Sequence, residues 1–222
     1  MTVVEHDGRL YGLGRHLRPE HDERNREYPA AVAPLRQVDW PRTGGPLDQG
    51  QVGSCTGNAL AGWLNTGPGY RGGPLRTEQD AVAFYSAGTR VDRYPGVYPP
   101  NDTGCDGPSV CKAAARAGTL RGYHHAFGLD HFLGALMNGP VMVGTKWLRG
   151  MFTADAAGLV TPSGAVAGGH EYEATAYDPA TGLVGFWNSW GSSWGVGGRF
   201  FIHADAFGQL LADGGDVTVP VL

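Results

Sequence analysis

A cysteine after a glycine-rich turn is the side chain of this 222-residue chain best suited to nucleophilic chemistry. Cys55 ends the run Gln49-Gly-Gln-Val-Gly-Ser-Cys, and His170 and Asn188 follow far along the chain. A thiol becomes a good nucleophile when a base takes its proton, a third group orients that base, and hydrogen-bond donors stabilise the oxyanion. A cysteine alone is more often a small buried hydrophobe. The four residues together predict a nucleophile, a base, an orienting group and an oxyanion donor in Gln49.

The nucleophile candidate is predicted to begin a helix. This helix runs from Ser54, a suitable N-cap, to Asn65, and the following Thr-Gly-Pro ends it. In its first turn the helix dipole and the unpaired N–H groups stabilise a thiolate. Gly57 and Gly62 lower the helix propensity, so packing against other elements must hold this helix.

The remaining pattern places helices before strands. Thr77 to Asp80 resembles a capping box and precedes a second helix that ends near Gly88. Two further helices are predicted from residue 108 or 109 to 117 and from 130 to 137, and strands at 141–143, 170–177, 183–187 and 199–203. This order indicates an α+β fold of two halves that meet at a cleft.

Three segments are predicted along the chain. Residues 1–37 are polar and rich in charge, and we expect them to form an arm on the surface. Residues 38–124 form a helical lobe that carries the nucleophile. Residues 125–222 form a β-rich lobe that carries the histidine and the asparagine.

Composition excludes several classes of protein. The formal charge of −4 and the pI near 6.0 argue against a nucleic-acid binder. No apolar run is long enough for a membrane span, and the N-terminus lacks the pattern of a signal peptide. We therefore expect a monomer with no membrane or nucleic-acid partner, no cofactor and no metal. Its location is unknown, with the cytoplasm as the default.

The three cysteines do not form a framework of disulfides. With Cys55 held as a thiol, at most one bridge remains, between Cys105 and Cys111. Their spacing is typical of neither zinc nor redox motifs. Two free thiols are the default expectation, and a local disulfide is the alternative.

Two motifs resemble those of the papain-like cysteine peptidases. The run from Gln49 to Cys55 is similar to the family's Gln-Gly-x-Cys-Gly-Ser-Cys-Trp, and Asn188-Ser-Trp-Gly-Ser-Ser-Trp-Gly to its Asn-Ser-Trp-Gly-x-x-Trp-Gly. His170 lies where the family places its histidine. The resemblance covers about residues 38 to 204. It implies a papain-like two-lobed fold with a helical N-terminal lobe, an antiparallel β-barrel-like C-terminal lobe and the active-site cleft between them.

The resemblance also implies a role for each of these residues. Cys55 would be the nucleophile, His170 the base and Asn188 its orienting partner. Gln49 and the Cys55 N–H would form the oxyanion hole, and Trp190 would shield the histidine–asparagine hydrogen bond. The thiol and imidazole would rest as thiolate and imidazolium. The implied reaction is hydrolysis of a peptide or protein through a thioester. Hydrolysis or transfer at cell-wall or other amides is the alternative, and a non-catalytic peptide-binding relative a third.

This sequence departs from the family pattern around that machinery. Thr56 replaces an aromatic residue, and Val52 replaces a cysteine, so the usual disulfide is absent. Pro108 stands at the second glycine of the family's Cys-Asn-Gly-Gly and has no N–H to donate. Gly107 and Ser109 are therefore weakened candidates for binding the substrate backbone.

Two carboxylates follow the histidine on the predicted strand. By alternation Glu171 and Glu173 share one face, and His170 lies on the other. In one interpretation one or both of them pair with Lys146 or Arg199. In the other, Glu171 lines the pocket for the substrate side chain two residues before the scissile bond, beside Val141 and Gly169, and favours a basic residue.

The remaining signals point to no further site. His124, His125 and His131 match no metal motif, and we expect them to be surface or hinge residues. Only some 48 residues precede Gln49. The chain therefore resembles compact microbial members without a long propeptide, and control could come from location or from the arm covering the cleft.

Overall fold

The computed structural model describes residues 2–14 and 23–222. The helices are α1 Cys55–Leu64, α2 Glu78–Gly88, α3 Gly107–Arg116, α4 Gly128–Leu136 and α5 Ala204–Ala212. The strands are β1 Thr2–His6, β2 Arg9–Leu13, β3 Val38–Asp39, β4 Gly122–Ala126, β5 Val141–Leu148, β6 Val166–Asp178, β7 Leu183–Trp187, β8 Arg199–His203 and β9 Asp216–Val221. Short 3-10 helices span Glu23–Glu27 and Arg149–Phe152.

The predicted α+β class is confirmed, with helices α1 to α3 ahead of an antiparallel sheet. That sheet has the strand order β4-β9-β5-β6-β7-β8, and β3 also pairs with β6. The four predicted helices and four predicted strands are present, although β5 and β6 are longer than expected. A barrel-like closure of this half stays a prediction, because β4 and β8 end the strand order among the described residues.

Glycine in α1 serves helix packing rather than the helix itself. A Cβ at Gly57 would overlap the carbonyl oxygen of Ala81 in α2, and a Cβ at Gly62 would lie 3.0 Å from Glu173 Oε2 in β6. The two glycines therefore let α1 approach both neighbours. This packing offsets the low helix propensity of the two glycines. It also fixes the position of the helix that begins at Cys55.

The N-terminal segment differs most from its prediction. Residues 2–13 form a two-stranded antiparallel hairpin, β1 with β2, instead of a surface arm. Asp7 and Gly8 both have positive φ, 48° and 76°, which matches the twist of a two-residue hairpin turn. Val4, Tyr11 and Leu13 are buried, because this hairpin packs on the rest of the protein. Residues 15–22 of the predicted arm lie outside the described residues.

No helix in the described part of the chain is long and apolar enough to cross a membrane. The three cysteines are unbonded thiols, as the default expectation had it. Cys111 lies in the core of the helical half, with its sulfur 3.9 Å from that of Met142.

Candidate active site

Cys55 is the first residue of α1 and faces β6. Ser54 occupies the N-cap position, but its side chain makes no capping hydrogen bond. Its Oγ instead accepts from Asn58 Nδ2 at 3.0 Å. The Cys55 thiol is 3% exposed, and the backbone N–H groups of Glu171, Thr56 and Gly14 face its sulfur. The predicted placement of the thiol at a helix start is thus confirmed, without the predicted cap.

His170 in β6 is held on three sides. Its Nε2 lies 2.7 Å from Asn188 Oδ1, an oxygen that also accepts the Ser189 N–H at 2.8 Å. An amide oxygen can only accept, so Nε2 carries the proton in the neutral ring and Nδ1 has the lone pair. Trp190 stacks on the imidazole at 4.7 Å, and Trp147 meets it edge-on at 5.0 Å. Nδ1 has no hydrogen-bond partner among the described residues, which makes it the nitrogen able to accept a proton.

Gln49, in the turn before α1, is a fixed hydrogen-bond donor. Its Oε1 accepts from Ser189 Oγ at 2.6 Å, and its Nε2 donates to Val52 O at 2.8 Å. The same Nε2 donates to the carbonyl oxygen of Gly12, also at 2.8 Å. The side-chain amide that was predicted to donate to an oxyanion therefore already donates to a peptide carbonyl.

The hairpin of residues 2–13 and the adjoining Gly14 cover this site. The Gly169 N–H donates to Gly14 O at 2.9 Å, and a Cβ at Gly14 would lie 3.8 Å from the Cys55 sulfur. Tyr11 packs on Trp190 at 4.6 Å. Outside the cleft, Arg9 makes a paired hydrogen bond to Asp48 at 3.0 and 3.1 Å. A strand of the protein itself thus occupies the space next to the thiol.

Solved structures of known proteins share this architecture, whereas no family model and no curated protein matches the chain. Xylellain, a cysteine protease from Xylella fastidiosa, superposes with a TM-score of 0.65 at 19% identity over 99% of both chains. The chain has a papain-like fold. A procathepsin L of Tenebrio molitor covers 88% of this chain and 73% of its own at 19% identity and TM-score 0.60. For a Carica candamarcensis cysteine protease in complex with E-64, the match covers 85% of this chain and 99% of that protease, at 16% identity and a TM-score of 0.60.

Burial under the hairpin sets the protonation of Cys55 and His170. Burial raises the pKa of the Cys55 thiol to about 12 and lowers the pKa of the His170 imidazole to about 4. Both charged forms lose their hydration, and no nearby charge compensates. The covered site therefore rests as neutral thiol and neutral imidazole. The thiolate–imidazolium pair that the resemblance implied is not its resting form while the hairpin is in place.

An acidic group lies on the other face of β6. Glu171 and Asp216 meet beside Gly144 of β5, where a Cβ would lie 2.6 Å from Glu171 Oε2 and overlap the Asp216 carboxyl. Burial, with Asp216 and Asp106 nearby, raises the pKa of Glu171 well above its usual value. Glu171 Oε1 has no hydrogen-bond partner among the described residues. These buried carboxyls are therefore stable either in the protonated form or with a cation bound beside them.

The two glutamates have different environments. Glu173 forms a buried ion pair with Arg42 at 2.9 Å, and not with the expected Lys146 or Arg199. Those two pair with Asp213 and Asp39, respectively. The interpretation of a paired carboxylate thus applies to Glu173 with another partner, and it does not apply to Glu171.

The fold changes two predicted substrate contacts, Val141 and Ser109, and keeps Gly107 beside Glu171. Val141 lies opposite Ala174 in the β5–β6 register, on the face away from Glu171. Gly144, and not Val141, is the β5 residue opposite Glu171. The Ser109 N–H donates to Asp106 Oδ1 at 2.7 Å as the cap of α3, so it is not open to a substrate. Gly107 does touch the acidic group, since its Cβ would lie 2.5 Å from Glu171 Oε1.

Sequence reasoning missed Ser189, Asp216 and the hairpin. Ser189 stands beside Asn188 in a motif that was read for its asparagine and tryptophans. Asp216 belongs to a strand that was not predicted. The hairpin had a usable signal, Asp7-Gly8 between Val4 and Tyr11, which is typical of a two-residue turn.

Proposed function

We propose that this protein is a cysteine peptidase that hydrolyses peptide bonds through Cys55, His170, Asn188 and Gln49. One observation carries the proposal. The site already binds an extended peptide of this chain, with the Gly12 carbonyl on Gln49, the Gly14 carbonyl on the Gly169 N–H, and Gly14 beside the sulfur. A cleft with these donors fits the backbone of a polypeptide.

The proposed reaction assigns one role to each group. His170 Nδ1 takes the thiol proton of Cys55, and the sulfur attacks the substrate carbonyl carbon. Gln49 Nε2 donates to the oxyanion. The imidazolium, oriented by Asn188, then protonates the leaving amine as the C–N bond breaks. A water molecule, deprotonated by His170, hydrolyses the thioester and releases the carboxylic acid.

Substrate must take the place of the hairpin before this reaction can begin. The carbonyl of Gly12 occupies the Gln49 donor, and the covered thiol is protonated. Removal of the hairpin admits water to the thiol and the imidazole, which favours the charged pair. The activity of the proposed peptidase is therefore conditional on opening of its own N-terminal segment.

We further propose that Glu171, with Asp216, selects a basic side chain two residues before the scissile bond. The two carboxyls converge beside Gly144, and within the described residues neither meets a lysine or arginine. A substrate cation would supply the missing charge. In a peptide library that varies the residue two before the cleavage point, Glu171→Gln should lower the preference for arginine over leucine. An unchanged preference in Glu171→Gln and Glu171→Ala contradicts this part of the proposal.

The test of the main proposal is hydrolysis of a fluorogenic peptide by a variant whose hairpin cannot close. Gly12→Val serves, because a Cβ there would lie 2.5 Å from Gln51 O. In that background Cys55→Ala and His170→Ala should abolish hydrolysis, whereas Cys111→Ala, which removes a thiol from the core, should retain it. Hydrolysis that survives Cys55→Ala overturns the proposal. Cleavage of peptidoglycan but not of peptides or proteins in the same assay would favour the cell-wall amidase.

A further inference from the structure

A second concave surface lies at the far end of α3 from the nucleophile. It encloses about 610 Å³ between the last turns of α3, strand β4 and residues 25–28. The Ala30 N–H donates to His125 O at 2.8 Å, and the His125 N–H to Tyr28 O at 3.2 Å, so the outer wall is fixed on β4. This volume is within the usual range for small-molecule sites. The cavity is therefore preformed by backbone hydrogen bonds.

Its lining is basic in a protein whose formal charge is −4. Lys112, Arg116 and Arg121 all line it, and Glu27 is the acidic side chain among the described lining residues. Within the described part of the chain, none of the three cations has a carboxylate within ion-pair distance. Among the described lining residues, three positive charges and one negative charge thus surround one concave space.

Two features indicate a ligand rather than a solvated surface. Lys112 and Arg116 are four residues apart on α3, so they lie side by side on one helix face and repel each other. His124 also lines the cavity. An anion between these side chains would remove the repulsion and supply charge-assisted hydrogen bonds. A concave basic wall also concentrates anions from solution.

We propose that this cavity, lined by Lys112, Arg116, Arg121 and His124, binds a small multiply charged anion of the phosphate type. The guanidinium groups of Arg116 and Arg121 provide planar paired donors that match phosphate oxygens, and Lys112 adds a point charge. Tyr123 forms a side wall of the cavity. The site is separate from the proposed peptidase site, since Gly107 at the start of α3 contacts Glu171 and Arg116 ends the same ten-residue helix.

Calorimetric titration of the full chain with inorganic triphosphate tests this proposal. We expect saturable binding at low salt that weakens as ionic strength rises. Lys112→Gln and Arg121→Gln should each weaken it by about three- to fivefold, the scale of one partly exposed ion pair. Arg149→Gln is the matched control, because it removes one exposed positive charge outside the cavity and should leave the affinity unchanged. A parallel titration with adenosine triphosphate shows whether an organic group adds affinity to the phosphates.

The outcomes separate the alternatives. Equal weakening in Arg149→Gln shows attraction by net charge alone and overturns the proposal. No weakening in Lys112→Gln and Arg121→Gln shows that the anion binds elsewhere and also overturns it. Absence of saturable binding at low salt also overturns it, as does tight binding of a polyglutamate peptide in its place. Sedimentation could instead show that the protein self-associates and that Lys112→Gln lowers the mass of the assembly. That result would assign the surface to a second copy of the chain and would equally refute an anion site.

Discussion

At the scale of the residue, the side chain of Gln49 is oriented before any substrate arrives. Ser189 Oγ and Val52 O hold the two ends of its amide, so one N–H points into the cleft. A donor that needs no reorientation stabilises an oxyanion most effectively. Ser189 thus belongs to the proposed site as a positioning residue, acting through Gln49.

Replacement of Gln49 should affect the reaction and not the thiol. In the Gly12→Val background we expect Gln49→Ala to lower kcat/KM for a peptide by about 10²- to 10³-fold. Alkylation of Cys55 by iodoacetamide builds no oxyanion, so its rate should stay close to that of the parent. Ser189→Ala should give a smaller loss of the same kind. Equal losses of hydrolysis and alkylation in Gln49→Ala would mean that the residue only supports the structure.

Asp216 should make stability depend on pH. Burial, and then Asp106, raise its pKa from the ordinary 3.8 to about 7. Glu171 of β6 and Thr218 of β9 face the same carboxyl. The folded state holds a proton that the unfolded state releases from about pH 4 upward, so this contribution to stability is present in acid and is lost as pH rises toward 7.

Asp216→Asn removes this titration while keeping the shape of the side chain. We expect the free energy of unfolding in urea to differ little between variant and parent near pH 4. The variant should become the more stable protein by pH 8. A difference that stays constant between these pH values would show that Asp216 ionises equally in both states.

The catalytic candidates were predicted from sequence because each belongs to a local motif. Gln49, Cys55 and Asn188 have neighbours that restrict their surroundings, and Asn188 does accept from His170 at 2.7 Å. Glu171 and Val141 show the limit of prediction from local sequence. Their side chains were placed by assumed position, whereas the real β5–β6 register puts Gly144 opposite Glu171. Register depends on pairing between distant segments, and a shift of one residue reverses the face.

At the scale of the element, the N-terminal hairpin determines access to the thiol. Gly12 is the residue that allows its close approach, because a Cβ there would lie 2.5 Å from Gln51 O and 2.6 Å from Val52 O. Backbone atoms cannot move aside as a flexible side chain can. Overpacking of this kind costs about 1–3 kcal/mol, and here the strain falls on the docking of the hairpin.

Gly12→Val should therefore expose Cys55 to reagents. We expect iodoacetamide to modify Cys55 about 5- to 150-fold faster than in the parent, the factor that corresponds to that cost. Gly45→Val is the control, because no atom lies within 4 Å of a Cβ at that position. Unchanged reactivity in Gly12→Val, or an equal gain in Gly45→Val, would contradict a hairpin that closes the site.

The loop before α1 and strand β6 are joined by the buried pair of Arg42 and Glu173. Removal of one partner leaves a buried charge without compensation, which typically costs about 3–5 kcal/mol. We expect Arg42→Met to lower the free energy of unfolding by this order. The double variant Arg42→Met/Glu173→Leu should recover much of the loss. A double variant as unstable as the sum of the single changes would indicate lost packing instead.

At the scale of the whole molecule, the order of helices before strands predicted the fold class correctly. Outside the hairpin, the elements that were not predicted, β3, β4, β9 and α5, have short or mixed patterns that gain stability mainly from pairing and packing. The hairpin was read as a polar arm because its buried residues, Val4, Tyr11 and Leu13, are few. Their burial needs the aromatic core of the β-rich half, against which they pack and which no local sequence pattern contains.

The central claim is that Cys55 is a nucleophile activated by His170 beneath a removable hairpin. The most direct measurement is the reaction of a peptidyl epoxide with the protein, followed by intact mass and peptide mapping. The account predicts one adduct on Cys55, formed slowly in the parent, rapidly in Gly12→Val and not in Gly12→Val/His170→Ala. An adduct on Cys105 or Cys111, or one on Cys55 that forms as fast without His170, would contradict the claim.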